Sequence, residues 1–288
     1  MSLYLGIILG ITAMFAFGIS KIYLKKLVQS AGEFSVVYVN SVMVVLLFLA
    51  GIFTVRLSIP SFKLLLLIAA LGFVGALTLL VFMKALKMGH VAIVVPVSSV
   101  FGVIIVAFAI LILKESLTYS MVAGITLIIL GTILISFKHS DLKNVSGAMI
   151  WSAGTGLALV TAFGWGTYYF FIRFVAVETG PIVAAFYVEL SVIIFLYIFL
   201  LFNRDKLQKP GRSDYKYIFI NALLVVAASI AYYTGITVSK VSVVAAITSA
   251  APLVSSVLAI YVLKEKIELN QKLATLMIVA GVIVLAVL

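Results

Sequence analysis

Ten apolar runs, each about 19 to 24 residues long and almost free of charge between their ends, dominate this sequence. At 1.5 Å of helical rise per residue, a run of that length spans the roughly 30 Å hydrocarbon core of a bilayer. Lipid cannot satisfy open backbone groups, so only helices and closed barrels cross it. Barrel strands alternate apolar and polar residues over about ten positions, and these runs do not alternate. The sequence therefore predicts an all-α integral membrane protein with ten transmembrane helices. The crossings fall at 3–23, 34–55, 64–83, 91–113, 119–137, 148–171, 181–202, 215–238, 241–263 and 271–288.

Little is left over for anything else. Of 288 residues, 65% are hydrophobic and 10% charged, with mean hydropathy +1.34. Soluble domains run near half apolar and a quarter charged, so a separate catalytic or nucleic-acid-binding domain does not fit. The net charge of +11, from 20 Lys and Arg against 9 Asp and Glu, has its source in short loops that meet anionic headgroups on the cytoplasmic side. Nucleic acid is not an expected partner. The absence of cysteine excludes disulfides, thiolate catalysis and Cys-based metal sites. The first apolar stretch has no basic segment before it and continues to membrane thickness, so it is expected to be a crossing and not a cleaved signal. No nucleotide-binding Gly-Lys-Ser/Thr loop, His-Glu-x-x-His motif or pair of intramembrane Asp is present. His90 and His139 fall in expected loops. The chain is therefore expected not to be an enzyme and to need no metal or cofactor.

The second half repeats the first. Leu113-Lys114-Glu115 recurs as Leu263-Lys264-Glu265, Gly131 falls on Gly281, and Ser98-Ser99 falls on Thr248-Ser249; at a slightly smaller offset Gly18 falls on Gly166 and Gly32 on Gly180. Five crossings lie in each half, giving expected units of 1–144 and 145–288. An odd number of helices per unit makes the halves enter the membrane with opposite orientation, so the fold class is two inverted five-helix repeats. Inverted repeats can adopt each other's conformation, and a site between them can then be exposed to either side in turn. A structural duplication without transport is the competing explanation.

On these residues the chain resembles the drug/metabolite transporter superfamily, in its ten-helix EamA-type branch. The resemblance rests on Lys84-Ala85-Leu86 at the end of crossing 3, on Pro252 in crossing 9 running into Leu263-Lys264-Glu265, and on Gly281. The first half carries Leu113-Lys114-Glu115 followed by Gly124 and Gly131. Two positions depart from the family pattern. Where the family often has Pro thirteen residues before each Glu, Pro252 fits, but the first half has Gly102 there, with Pro96 earlier; and no Arg lies near Asn40 in crossing 2. The resemblance implies export or exchange of small metabolites, among them amino acids, drugs, nucleotide sugars and phosphorylated sugars.

Ionisable groups at membrane depth are costly and usually functional. Glu189 lies near the middle of crossing 7 and answers, through the repeat, to Asn40 in crossing 2, so the two form an expected polar pair. Glu189 is the candidate for proton coupling; a carboxyl bonded to a neighbouring Ser or Tyr for packing alone is the alternative. Lys21 and Lys84 are expected at helix ends, reaching for the interface. Thr161, Trp165 and Tyr168 share a face of crossing 6, Ser229 and Tyr232 share a face of crossing 8, and Ser98, Ser99, Thr248 and Ser249 lie in crossings 4 and 9. With Asn40 they are the candidate substrate-binding residues, able to stack on an apolar group and bond a polar one. For the tyrosines an interfacial belt is the competing role. Gly102 and Pro252 are candidate hinges. Crossings 5 and 10 carry few polar side chains and matched small residues, Gly124 with Ala274 and Gly131 with Gly281, as expected of packing struts.

The expected function is a secondary transporter at the cell membrane that exports or exchanges a small organic metabolite, amino acid or drug-like, by alternating access. Its partners are the bilayer, the small-molecule substrate and protons; monomer and homodimer both remain open. A phosphate-ester or nucleotide-sugar antiporter is the weaker alternative, because a dianionic phosphate needs deep Lys or Arg. A non-transporting scaffold or receptor is the alternative of another class, and it predicts a packed interior with no polar cavity. Loops after odd crossings hold fifteen Lys and Arg against five after even ones, which predicts cytoplasmic odd loops and both termini outside.

Overall fold

The apolar runs are helices in the computed structural model, which describes residues 2–31, 33–55, 58–137, 152–203, 210–263 and 268–287. Its helices are α1 (Ser2–Ala31), α2 (Glu33–Ile52), α3 (Phe62–Met88), α4 (Val91–Ser98), α5 (Phe101–Leu111), α6 (Tyr119–Ser136), α7 (Ala153–Thr179), α8 (Pro181–Asn203), α9 (Asp214–Val238), α10 (Val241–Ser249), α11 (Ala251–Leu263) and α12 (Leu269–Ala286). Ten spans among the described residues are long and apolar enough to cross a membrane. The two numbers differ because crossing 4 is α4 with α5, and crossing 9 is α10 with α11. The all-α, ten-crossing fold read from the sequence is what forms.

Local chemistry sets several ends. The hydroxyls of Ser61, Thr118 and Ser152 accept hydrogen bonds from the backbone N–H of Leu64, Met121 and Thr155, capping α3, α6 and α7. Between α7 and α8 the chain turns at Gly180, whose φ of 85° is the left-handed conformation that glycine adopts without steric cost. Helices α1, α3 and α7 run past the expected 3–23, 64–83 and 148–171. Lys21, Lys84, Lys87 and Arg173 lie inside them because a cationic side chain ends the hydrocarbon run without ending the helix; Lys and Arg are good helix formers.

Packing reproduces the internal symmetry. Crossing 1 packs on crossing 8, as crossing 6, its repeat-mate, packs on crossing 3. Crossings 2 and 7, 4 and 9, and 5 and 10 pair directly with their own mates. Such pairing is what a two-fold relation between inverted five-helix units produces. Crossings 5 and 10 touch backbone to backbone: a Cβ on Gly281 would lie 2.7 Å from the Gly124 carbonyl oxygen, and one on Gly131 would lie 2.9 Å from that of Ala274. Small residues let helices approach closely in lipid, and these serve as the expected struts. Lys264 and Glu265, Gly32 and several of the loop lysines and arginines counted for orientation lie outside the described residues.

Candidate transport cavity

A cavity of about 200 Å³ lies between the two repeats. The first repeat contributes Phe17, Lys21, Phe101 and Ile105, and the second contributes Trp165, Tyr169, Tyr232, Ala245, Thr248, Ser249 and Ala251. Both breaks in the crossings border it. The turn at Ser99-Val100 follows Pro96, which has no N–H to continue the ladder, and precedes Phe101. Ala250 interrupts crossing 9 two residues before Pro252. At this level the two broken crossings meet: a Cβ on Gly102 would lie 2.9 Å from the Ser249 hydroxyl oxygen.

Aromatic contacts hold the walls. The Trp165 ring lies 4.9 Å from that of Phe82 and 6.2 Å from that of Phe101, centroid to centroid, and Phe101 lies 5.8 Å from Tyr169. Edge-to-face packing continues from Tyr168 to Tyr169 at 5.2 Å and from Tyr169 to Tyr232 at 5.6 Å. The Tyr232 hydroxyl donates to the backbone carbonyl of Tyr169 at 3.2 Å. Thr248 donates to the Gly10 carbonyl at 3.4 Å and Ser249 to that of Ala246 at 2.7 Å, so both keep acceptor capacity.

Of the residues singled out in the sequence, Trp165, Tyr232, Thr248 and Ser249 line this cavity. Thr161 is buried and donates back to the Leu157 carbonyl at 2.9 Å. Ser99 does the same to Val95 at 2.8 Å. Ser229 is buried in α9, and Ser98 is buried at the end of α4 with its hydroxyl unpartnered among the described residues. Tyr168 points away from the cavity and donates to Glu189 Oε1 at 3.3 Å. Glu189 and Asn40 do not pair. Asn40 Oδ1 instead accepts from Asn221 Nδ2 of α9 at 2.8 Å, because crossing 2 packs on crossing 8 as well as on crossing 7. Lys21 lies near the end of the first apolar span, as expected, but lines the cavity. The sequence reading also passed over Phe17, Phe101, Ile105, Tyr169, Ala245 and Ala251. Tyr169 alone carried a signal, as a polar aromatic next to the chosen face.

On one face of the bundle a contact ties the two repeats together. Crossing 9 begins at Lys240, which does not cap its own helix. Glu115 does it from the first repeat: Oε1 accepts from the Val241 N–H at 2.7 Å, while Oε2 accepts from the Ser242 N–H at 3.2 Å and its hydroxyl at 2.6 Å. A carboxylate at a helix N-terminus satisfies free N–H groups and meets the positive end of the helix dipole. Lys114, at φ 52°, turns the chain to present Glu115, and Lys240 Nζ donates to the Ser116 carbonyl. Arg173 lines a second cavity beside this contact.

Ten crossings in two inverted repeats around an interior cavity define a helical membrane transporter. The comparisons make that specific: the chain matches the EamA-like transporter family over residues 4–137 and again over 152–287. It belongs to that family, whose members are membrane transporters of the drug/metabolite kind and not enzymes. An uncharacterized protein of Methanocaldococcus jannaschii is 35% identical over 136 residues, which take up 97% of that protein and 46% of this chain, the span of one repeat. A solved crystal structure with 18% identity superposes with a TM-score of 0.81, covering 97% of this chain and 95% of that one, and so shares the fold.

Proposed function

We propose that this transporter exports or exchanges a small organic metabolite, amino-acid-like or drug-like, at the cell membrane, by exposing the Trp165 cavity to each face in turn. The observation that carries the reading is that both repeats line one cavity where both of their broken crossings meet. Its volume of about 200 Å³ lies below the roughly 300–1,000 Å³ of drug-sized ligand pockets and restricts the ligand to a small molecule. Interrupted helices let half-helices tilt without disturbing the struts of crossings 5 and 10, and inverted repeats supply two arrangements of that tilt related by a pseudo-two-fold axis. Trp165 and Tyr232 act as stacking walls, with Thr248 and Ser249 as hydrogen-bonding groups. Thr161, Ser98, Ser99, Ser229 and Asn40 are not among the residues that line the cavity. Gly102 and Pro252 flank the bending points.

Proton coupling through Glu189 belongs to the same proposal. An ionised carboxylate in hydrocarbon costs at least about 2.5 kcal/mol, so a proton taken up when the site is sealed and released when it is wetted would tie substrate movement to proton movement. Tyr168 and Tyr169 link Glu189 to the cavity wall.

Uptake of labelled metabolites into proteoliposomes tests both parts. Trp165→Ala is expected to abolish uptake in a protein that still folds and inserts; unchanged kinetics would remove Trp165 from the site. Under an imposed pH gradient, native protein is expected to concentrate substrate and Glu189→Gln only to equilibrate it. An equal response in both would take Glu189 out of the coupling.

A further inference from the structure

We infer that the cavity recognises a carboxylate: its substrate is an organic monoanion with an aromatic or apolar body, held by Lys21. This rests on the proposed transport reading and specifies the chemistry of that same cavity. The position of Lys21 is fixed by the helix that carries it. A Cβ on Gly18 would lie 2.8 Å from the Ala251 carbonyl oxygen, so only glycine lets α1 come this close to crossing 9. That contact sets the rotation of α1, and Phe17 and Lys21, one turn apart, then both face the cavity.

Lys21 is the one charged residue among those that line it. It is an exposed residue that belongs to the lining, and no acceptor pairs with its ammonium among the described residues. Near the end of its apolar span, a cation among aromatic walls still attracts a counter-charge. Among the described residues no acidic side chain of the lining supplies one, which leaves that place to the ligand. Around it, Phe101, Trp165, Tyr169 and Tyr232 offer ring faces and edges to a planar or apolar body. A phosphate dianion calls for several donors or a bidentate guanidinium, and a single lysine fits a carboxylate better. Since α1 starts beside Glu115, Lys21 lies toward the opposite face of the bundle.

The test is equilibrium binding to the purified full chain, using four probes that differ mainly in headgroup: 3-phenylpropanoate, 3-phenylpropanamide, 3-phenylpropylammonium and phenyl phosphate. The carboxylate is expected to bind about tenfold or more tighter than the amide, and the ammonium weakest. Lys21→Met is expected to remove the preference for carboxylate over amide, in a protein whose native melting temperature in detergent shows that it is folded. Lys21→Arg is expected to keep the preference. Equal binding of carboxylate and amide to the native protein, with both lost in Trp165→Ala, would overturn the role of Lys21 and leave the cavity reading standing. Binding that ignores Trp165→Ala would overturn the cavity reading itself. Tighter binding of phenyl phosphate than of the carboxylate, or no binding of any probe, would overturn the substrate class.

Discussion

Removing the Glu115 carboxylate should loosen one face of the transporter. In Glu115→Ala the N–H groups of Val241 and Ser242 and the Ser242 hydroxyl lose their acceptors together. Hydrogen bonds to a charged group contribute about 1.5–3 kcal/mol. Water reaches half-buried Glu115 and offers partial replacement, so the loss expected for the set is about 1.5–3 kcal/mol, not three times that. If opening this face breaks the contact, the loss shifts the ratio of closed to open molecules by a factor of about ten to a hundred. Glu115→Gln keeps one acceptor but presents an NH₂ group to the Ser242 N–H, so it should resemble Glu115→Ala. Because the chain has no cysteine, Ala245→Cys on the cavity wall can be labelled cleanly. With a membrane-impermeant thiol reagent applied at the face where crossing 9 starts, labelling should accelerate about tenfold or more in Glu115→Ala. Labelling unchanged within about twofold, in a protein that melts at the native temperature, would refute the latch and with it the claim that this contact holds the face shut.

Three further outcomes are expected. Gly281→Leu, whose Cβ would stand 2.7 Å from a backbone oxygen of crossing 5, should cost at least about 1–3 kcal/mol and lower the melting temperature in detergent, whereas Gly156→Ala, with nothing near its Cβ, should not. A C-terminal reporter active only in the cytoplasm should stay silent, as the loop charges require; strong activity would reverse the orientation. Gly18→Val should block transport without unfolding the struts, because it pushes α1 off crossing 9 at the cavity, and native uptake rates would contradict the placement of Lys21.

Long-range features of the fold were legible because membrane thickness and backbone satisfaction impose them: the number of crossings, their helical nature and the five-plus-five repeat. Helix ends were not, since Lys21, Lys84 and Arg173 mark where hydrocarbon gives way, and helices run on beyond it. Cavity residues split along the same line. Trp165, Tyr232, Thr248 and Ser249 stood out because polar or amphipathic groups at depth are unusual. Phe17, Phe101, Ile105 and Ala245 line the cavity with the same chemistry that other residues turn to lipid, and only packing separates them. Tyr168 and Tyr169 differ by one residue, about 100° around a helix, so the wall residue could not be told from the partner of Glu189. Asn40 found Asn221, a neighbour that the repeat offset does not reveal.

The most direct test of alternating access through one cavity is counterflow. Proteoliposomes are preloaded with an unlabelled substrate found in the metabolite panel, and entry of the labelled form is followed. The account predicts that preloading accelerates labelled entry in the native protein and that Trp165→Ala removes both the entry and its acceleration. Flux that rises linearly with concentration and ignores preloading would describe an open pore, and would contradict a cavity that faces one side at a time.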